Sequence, residues 1–390
     1  MDLTPVEKIG DLAASAGLRR IHILAWRDLD DVEAGGSEVH AHEVARRWAA
    51  AGLDVTMRTS AAFGHPHELR RDGYRVVRRA GRYAVFPRGV LAEIAGRHGQ
   101  RDALVEVWNG VPWVSPIWAR GPRMVFMHHL HRKMWPLVLS DSPTLARVGE
   151  VVERRIAPPL YRTTPIVTLS ESSRAELTTE LGFSPDRVHV VPPGIDPRFS
   201  PGGALDPRPL VVSVSRLMAP KRFDVVLRAA AAARREVPDL QLVVVGKGEE
   251  RERLEQLRRE LDAEEWVTFA GFLDDQALVD LYRRAWVLTN ASIAEGWGMT
   301  VTEAAACGTP AVVSDIPGHR DAVRDGTSGL LASDEHELAN GIAAVLSDPD
   351  LRSRLSQGAL ARAAELTWDA TALGTLQVLA DEARHRSRSA

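Results

Sequence analysis

Residues 294–310 read AEGWGMTVTEAAACGTP, and this stretch decides the fold that the sequence predicts. It lies between two apolar runs, WVLT at 286–289 and PAVVS at 310–314. The pattern therefore predicts a strand, a glycine-containing loop, a short helix and a second strand. Residues 296–299 come at the start of the helix, where unpaired backbone N–H groups and the helix dipole favour an anion.

Two glutamates flank this predicted anion site. Glu295 comes just before the helix, and Glu303 lies more than one turn inside it. Eight residues of helix span roughly 12 Å, so the pair can hold two ends of one extended ligand. A carboxylate only accepts hydrogen bonds, and a nucleotide-sugar has hydroxyls at both ends with phosphates between them. The alternative interpretation is two solvated glutamates around an ordinary loop.

The bulk composition is that of an ordinary globular protein, with 390 residues, 45% hydrophobic and 26% charged. This length exceeds one typical core, so two domains are expected. The net charge of −3 argues against a nucleic-acid partner. The single cysteine, Cys307, excludes an internal disulfide and a cysteine-based metal site. Without a secretion signal or an apolar run of 18 residues, a cytoplasmic location is expected.

Short apolar runs alternate with helix-period stretches along the chain, which is typical of βα units and parallel sheets. The predicted strands are 21–26, 55–59, 75–77, 104–108, 124–127, 166–169 and 188–191 in the first half, and 210–214, 240–245, 267–269, 287–289, 311–314 and 329–332 in the second. The final stretch from Trp368 to Arg386 predicts one more helix.

A tract dense in turn residues at 196–203 separates the two series of strands and is interpreted as the interdomain linker. The sequence thus predicts two doubly wound Rossmann-like α/β domains, 1–198 and 199–367. Two such domains in tandem are expected to face each other across a cleft at the carboxyl ends of their strands.

The first predicted strand leads into Gly35-Gly36-Ser37, which opens a helix with Ser37 as the expected N-cap. Glycines there allow a ligand to approach the backbone, and the helix N-terminus attracts phosphate. A plain turn with a cap is the alternative. His40 and His42 are expected at the helix surface or at an interface.

In the second half, Arg216 and Lys221 follow the strand at 210–214, so that one loop can aim two cations at a diphosphate. The alternative is a pair of exposed basic residues. Gly246 and Gly248 follow the next strand and permit close approach of a ligand, while a direct role for Lys247 is doubtful.

Three histidines, His128, His129 and His131, end the strand at 124–127. Adjacent strand residues point to opposite sides, and no cysteine or carboxylate is close in sequence, so no metal site is predicted. One histidine, His128 or the neighbouring His129, is expected to touch the sugar or its leaving phosphate.

With these pieces in order, the chain resembles the family 4 retaining glycosyltransferases of the GT-B fold over nearly its whole length. The resemblance is strongest at 211–331. The matching motifs, in the family's order, are SESSR at 170–174, VPPGID at 191–196, Arg216-x4-Lys221, Gly246-x-Gly248, FAGF at 269–272 and the paired glutamates. Trp297 replaces the usual phenylalanine, and Asn290-Ala291-Ser292 replaces a common Pro-Ser ending, so the donor stays open between UDP- and GDP-sugars.

The resemblance implies catalytic roles for His128, Arg216, Lys221 and Glu295. Arg216 and Lys221 would neutralise the donor diphosphate, Glu295 would bind the transferred hexose, and Glu303 the ribose. The implied nucleotide-sugar-binding set is Gly35, Gly36, Gly246, Gly271, Phe272, Gly296, Trp297, Gly298, Met299, Thr300 and Glu303. The resemblance also implies that the first domain is the acceptor side, the second binds the nucleotide-sugar, and the C-terminal helix at 368–390 packs back on the first.

Retention implies a front-face reaction, in which the departing phosphate deprotonates the acceptor, because no residue stands out as a covalent nucleophile. No cofactor is expected, and a glycan phosphorylase of similar architecture is disfavoured, since the scarce lysines offer no obvious anchor for a pyridoxal cofactor. Alternatives are a nucleotide-sugar epimerase of the same fold, or a non-catalytic subunit that binds a glycan or another transferase. The latter would have lost Arg216, Lys221 or Glu303, and all three are present.

The sequence says little about the acceptor, which is expected to be a glycan, a lipid or a small molecule. Segment 66–101 carries nine arginines against three acidic residues, a local net charge of +6. Such a surface can hold an anionic acceptor, or it can make peripheral contact with the inner face of an anionic membrane. Ordinary solvated faces are the alternative.

Overall fold

The computed structural model describes residues 3–128, 130, 135 and 142–389. The chain divides into two compact units, the first comprising 1–194 with 367–390 and the second comprising 195–366. The boundary expected at 198 falls inside the second unit. The tract interpreted as a linker packs there, since Ser200 O accepts a hydrogen bond from Arg283 Nε (2.8 Å).

The first unit is built on an eight-stranded sheet. Its strands are β1 (Arg20–Leu24), β2 (Asp54–Thr59), β3 (Glu68–Arg71), β4 (Tyr74–Arg78), β5 (Ala103–Val107), β6 (Arg123–Phe126), β7 (Ile166–Thr168) and β8 (Val188–Val190). Their order across the sheet is β3-β4-β2-β1-β5-β6-β7-β8. Neighbouring strands are parallel except β3 and β4, which form an antiparallel hairpin.

Helices cover this sheet. They are α1 (Pro5–Ser15), α2 (Gly36–Ala50), α3 (Val85–Ile94), α4 (Ser115–Trp118), α5 (Pro143–Val151), α6 (Ala157–Tyr161), α7 (Glu171–Leu181) and, from the end of the chain, α15 (Trp368–Ser389). A π-helical turn (Val152–Ile156) joins α5 to α6. Helix α15 packs against α1 and α2, and Trp48 Nε1 donates to Ala372 O (3.0 Å).

The second unit has a six-stranded sheet that is parallel throughout. Its strands are β9 (Leu210–Val214), β10 (Gln241–Val245), β11 (Val267–Gly271), β12 (Val287–Asn290), β13 (Ala311–Ser314) and β14 (Gly329–Ala332). Their order is β11-β10-β9-β12-β13-β14. The central strand β9 is buried along its whole length, as expected for a parallel sheet covered on both faces.

The helices of the second unit follow these strands. They are α8 (Phe223–Arg234), α9 (Arg251–Glu260), α10 (Asp275–Arg284), α11 (Met299–Ala306), α12 (His319–Ala322), α13 (Glu335–Ser347) and α14 (Pro349–Ala364). A 3₁₀ turn (Ala219–Lys221) precedes α8.

The predicted fold class, two Rossmann-like α/β domains with parallel sheets, is confirmed. A strand is present at each predicted position, and the only further strand among the described residues is β3. The pattern missed β3 because its sequence, Glu-Leu-Arg-Arg, lacks the apolar alternation of a half-buried strand. It exists because it pairs with β4 at the edge of the sheet.

Candidate functional site

Three loops at the carboxyl ends of β9, β10 and β12 position the polar residues of the second unit. Arg216 follows β9, and the 3₁₀ turn that ends at Lys221 comes next. Ile293 N donates to Pro220 O (3.0 Å), which ties this turn to the loop after β12. That backbone bond places the Lys221 side chain beside Glu295.

Lys221 and Glu295 form an ion pair, with Lys221 Nζ 2.5 Å from Glu295 Oε1. Ser292 Oγ donates to the same oxygen (2.8 Å). Burial opposes ionisation of Glu295, but the charge of Lys221, the nearby His319 and these hydrogen bonds outweigh it and lower its pKa to about 2. Glu295 is therefore a fixed carboxylate at neutral pH, able to accept hydrogen bonds but not to donate one.

Glu303 lies inside α11 in a different environment. Burial, reinforced by the charge of Asp196, raises the pKa of Glu303 to about 7, although the nearby Tyr282 hydroxyl opposes the rise. Tyr282 itself is fully buried, and its hydroxyl has no hydrogen bond of ordinary geometry to any described residue. Glu303 thus changes its charge near neutral pH, whereas Glu295 does not.

The N-terminus of α11 lies between the two glutamates. Gly298 is its N-cap residue, with φ of +101°, a conformation that favours glycine. Asn290 Nδ2 donates to Thr300 Oγ1 (3.2 Å), and Ser213 Oγ donates to Asn290 Oδ1 (3.1 Å). Asn290 therefore ties the first turn of α11 to the central strand β9.

Trp297 is positioned differently from a pocket-lining residue. Its side chain is 3% exposed, with the Arg362 guanidinium 5.6 Å from the ring centroid. The indole therefore packs inside the second unit. The implied role of Trp297 in binding the nucleotide-sugar stays a prediction.

Glycine is needed at two positions after β10 because another part of the backbone lies too close for a side chain. A Cβ atom on Gly246 would lie 1.9 Å from Ser215 O, and one on Gly248 would lie 2.2 Å from Leu217 O. These glycines therefore let the loop pack against the backbone that carries Arg216. At the end of β11, Gly271 has φ of +70°, and the next residue, Phe272, is 73% exposed, with Lys247 Nζ 5.9 Å from its ring centroid.

His319 belongs to this site, and the sequence analysis did not find it. The side chain is fully buried, its Nδ1 lies 2.9 Å from Ser314 O, and its ring packs against Gly298. Burial lowers the pKa of His319, although the charge of Glu295 opposes that effect. The signal available in the sequence was its place after β13, at the same sheet edge as Glu295.

In the first unit, Gly35 and Gly36 begin α2 as predicted, but the expected N-cap is wrong. Gly35 is the N-cap residue, and Ser37 lies inside the first turn. Glu38 takes the capping role, since its Oε2 accepts hydrogen bonds from Gly35 N and Ser37 Oγ, both at 2.9 Å. Part of the anion-binding capacity of this helix N-terminus is thus satisfied by its own glutamate.

His128 lies against the helix that these glycines begin. It is 5% exposed, and its Nε2 lies 3.2 Å from His40 Nδ1. His40 and His42 are both buried, so the helix surface is excluded for them and they pack against neighbouring elements of this unit. Burial lowers the pKa of each to about 3. His129 and His131 lie outside the described residues, so the choice between His128 and His129 stays a prediction.

Most of the arginine-rich segment 66–101 is already paired. Arg78 is 1% exposed and lies 2.8 Å from Asp28 Oδ1, so it belongs to no surface. The ion pairs are Arg71 and Arg78 with Asp28 and Asp30, Arg75 and, more distantly (3.9 Å), Arg79 with Glu68, Arg82 with Glu33, and Arg101 with Glu93. Acidic residues of the β1–α2 loop, outside the segment, therefore neutralise much of its charge.

Within the described ranges, no group of three or more His, Cys, Asp or Glu side chains is arranged to hold a metal ion. Nor does any helix in those ranges combine the length and apolar character needed to cross a membrane.

Comparison with known proteins decides the family. Residues 34–199 match the family described as "Glycosyltransferase Family 4", and residues 198–362 match "Glycosyl transferases group 1". The D-inositol 3-phosphate glycosyltransferase of Acidothermus cellulolyticus is 32% identical, over 92% of this chain and 88% of that protein. This chain belongs to the family 4 glycosyltransferases. The protein of the same name from Thermomonospora curvata is 34% identical over 89% of this family 4 chain and 90% of that protein.

Solved structures agree on the fold of this family 4 glycosyltransferase. Sucrose-phosphate synthase from Thermosynechococcus elongatus has a TM-score of 0.80 at 22% identity, covering 95% of this chain and all of that one. WaaG, a glycosyltransferase involved in lipopolysaccharide biosynthesis, has a TM-score of 0.72 at 17% identity, covering 92% and 99%. The GT-B fold and the family resemblance are confirmed. Membership makes the chain a glycosyltransferase that uses a nucleotide-sugar donor.

Proposed function

We propose that this family 4 glycosyltransferase moves a hexose-type sugar, with retention, from a UDP- or GDP-sugar to a hydroxyl of an anionic small molecule of the inositol phosphate kind. The observation that carries the donor half is the Lys221–Glu295 ion pair beside the N-terminus of α11, with Glu303 further along the same helix. In this proposal the charges match the groups of a nucleotide-sugar in order: Glu295 the sugar, Lys221 the diphosphate and Glu303 the ribose.

The chemistry at the donor follows from these charges. Lys221 and Arg216, together with the backbone N–H groups at the start of α11, stabilise the charge that grows on the departing diphosphate. Glu295 remains ionised and accepts hydrogen bonds from hydroxyls of the sugar. Because Glu295 Oε1 already accepts bonds from Lys221 and Ser292, a binding role fits better than nucleophilic attack. The departing phosphate then takes the proton of the acceptor hydroxyl.

The acceptor half is supported by the relatives and by Arg58. Relatives that match most of this chain are named D-inositol 3-phosphate glycosyltransferases. Arg58, at the carboxyl end of β2, is 2% exposed and donates to the carbonyl oxygens of Thr59, Val77 and Arg79. No described carboxylate lies within ion-pair distance of it. Burial, with the charges of Arg79 and Arg88, lowers the pKa of Arg58 to about 10, although the charge of Glu93 opposes the fall.

A buried cation without an ion-pair partner is costly, and Arg79 and Arg88 repel Arg58 more than Glu93 attracts it. An anion beside Arg58, Arg79 and Arg88 would offset that cost. The carboxyl edge of the first sheet is therefore suited to an acceptor that carries phosphate.

A lipid acceptor with peripheral membrane contact is a second candidate. It is favoured by the side chains of Val32, Phe63 and Tyr83, which are 100%, 102% and 59% exposed on loops at the carboxyl ends of β1, β2 and β4. Flotation with anionic liposomes tests it. The small-molecule acceptor is preferred because Arg71 and Arg78, part of the basic segment, are already held by Asp28.

The deciding experiment incubates purified protein with UDP- and GDP-sugars, with and without inositol 3-phosphate. Release of UDP or GDP that depends on the acceptor, and a product whose anomeric configuration by NMR equals that of the donor, support the proposal. An inverted product would refute retention. Sugar nucleotide that is bound but never transferred, with any acceptor, would favour the non-catalytic subunit, and an interconverted donor sugar would favour an epimerase.

A further inference from the structure

We infer that His319 is a positioning residue for Glu295, an inference that rests on the proposed donor site. His319 would not touch the donor. It would hold the loop 295–298 so that the Glu295 carboxylate and the start of α11 keep a fixed geometry.

The first argument is how the imidazole is held. Its Nδ1 faces Ser314 O at 2.9 Å. A carbonyl oxygen only accepts, so Nδ1 carries the hydrogen and Nε2 carries a lone pair in the neutral ring. Ser314 Oγ donates to Ser292 O (2.7 Å), and Ser292 Oγ in turn donates to Glu295 Oε1. A short chain of hydrogen bonds therefore links the imidazole to the carboxylate through Ser314 and Ser292.

The second argument is packing. A Cβ atom on Gly298 would lie 3.1 Å from His319 Cδ2, so the ring abuts the N-cap of α11. The adjacent Gly318 has φ of +86°, and a Cβ atom there would lie 2.4 Å from Glu295 O. The backbone of 318 and the ring of 319 thus support the loop 295–298 from one side, leaving almost no room to shift.

The third argument is electrostatic. His319 Nε2 is buried, with no hydrogen-bond partner among the described residues. An unpaired buried nitrogen is unfavourable, and a core that needed only bulk here would be served by leucine or phenylalanine. The charges of Glu295 and Lys221 both act on the titration of this ring. A neutral polar ring next to this ion pair adds no third charge to it.

The test compares His319→Ala with His319→Asn, whose side-chain amide can still donate to Ser314 O. His336→Asn, at an exposed histidine of the same unit, is the control. UDP and UDP-glucose, and GDP and GDP-mannose, serve as paired probes in calorimetry and turnover. Hydrogen exchange of the amides at 295–300 is followed in the unliganded protein.

For His319→Ala we expect kcat/KM for the sugar nucleotide to fall at least about tenfold, while nucleoside diphosphate affinity stays within about twofold. His319→Asn should recover most of that loss, and His336→Asn should lose nothing. Adding His319→Ala to Glu295→Gln should cost little beyond Glu295→Gln alone, because residues that act through one another are not additive.

Equal losses for nucleoside diphosphate and sugar nucleotide, full additivity with Glu295→Gln, or unchanged exchange at 295–300 would each overturn the inference. If the wild-type protein binds neither probe pair, the proposed function fails instead, and the exchange measurement still decides whether His319 holds this loop.

Discussion

Lys221 Nζ lies 2.5 Å from Glu295 Oε1 in the second unit. In the proposed function these two side chains serve different parts of the donor, the diphosphate and the sugar. Without a donor they neutralise each other, which keeps both ordered and spares the site an unpaired buried charge. A donor that enters this site must therefore either bind to Lys221 and Glu295 while they stay paired or separate the two side chains.

Replacing Glu295 should separate nucleotide binding from sugar transfer. We expect Glu295→Gln to bind UDP or GDP as tightly as wild type or a few-fold more tightly, because Lys221 is released to the diphosphate. Transfer should fall at least about a hundredfold, roughly 2.7 kcal/mol of lost transition-state stabilisation. Calorimetry and turnover on one preparation give both values, and a matching loss of nucleotide affinity would contradict this division of roles.

The two cations should be needed for turnover. Arg216→Ala and Lys221→Ala should each lower kcat at least about a hundredfold, since the charge on the departing diphosphate is then less stabilised. Arg253→Ala, on the surface of α9, is the matched control and should retain activity. Circular dichroism should be unchanged in all three, and wild-type turnover in both site variants would refute the proposed site.

Glu303 should make nucleotide binding depend on pH. Its pKa of about 7 means that the carboxylate, the form that accepts ribose hydroxyls, becomes dominant as pH rises from 6 to 8. Affinity for UDP or GDP should increase over that range, by at most about tenfold per pH unit. Glu303→Gln should bind more weakly and keep only the pH dependence that the phosphates themselves contribute.

Ionisation of Glu303, which should strengthen nucleotide binding, should lower the stability of the fold. Because the folded-state pKa of Glu303 is raised above its ordinary value of 4.5, the folded protein holds this proton more tightly than the unfolded chain. Its contribution to the free energy of unfolding should therefore fall as pH rises from 4.5 through about 7. Denaturant titrations of wild type and Glu303→Gln across this range measure the difference, and identical pH profiles would contradict it.

Arginines at the carboxyl edge of the first sheet should recognise the charge of the acceptor. Arg79→Ala together with Arg88→Ala should raise KM for inositol 3-phosphate about tenfold or more, at unchanged KM for the donor. Arg70→Ala with Arg97→Ala removes two exposed arginines of the same segment and serves as the charge-matched control. If both pairs behave alike, the effect is general electrostatics and the anion site is refuted.

Gly246 should be required for folding. Alanine there would place Cβ 1.9 Å from Ser215 O at φ of +139°, so the loop must move. We expect Gly246→Ala to lower the free energy of unfolding by about 2–4 kcal/mol. Gly326→Ala, where φ is +68° and the space is open, should cost only about 1–2 kcal/mol. Chemical denaturation of both variants compares them.

Apolar periodicity was enough to predict the strands and the tandem domains, because parallel strands buried on both faces leave strong runs such as that of β9. It was also enough to place Glu295, Gly298 and Glu303 around one helix start. The edge strand β3 was not predicted, because it depends on pairing with β4, and the apolar pattern of a sequence does not show such pairing.

Partners brought from elsewhere in the chain could not be read in this way. The sequence shows nine arginines in segment 66–101, but not that Asp28, from the loop after β1, neutralises Arg71 and Arg78. It shows two similar glutamates, but not how their charges differ. Lys221 lowers the pKa of Glu295 to about 2, whereas burial near Asp196 raises the pKa of Glu303 to about 7. His319 was missed because its position follows from packing against Gly298.

The chain leaves the first unit after Gly194 and returns to it at Thr367, which has a consequence for the order in which the protein is made. A Cβ atom on Gly194 would lie 2.0 Å from Trp368 N, and Ile195 N bonds Leu366 O (3.3 Å), so the second unit begins and ends at one point. During synthesis, residues 195–366 leave the ribosome before α15 does. The second unit can therefore mature as a closed loop of chain, whereas the first must wait for its last helix. Truncation before Trp368 should accordingly damage the half of the protein that was translated first.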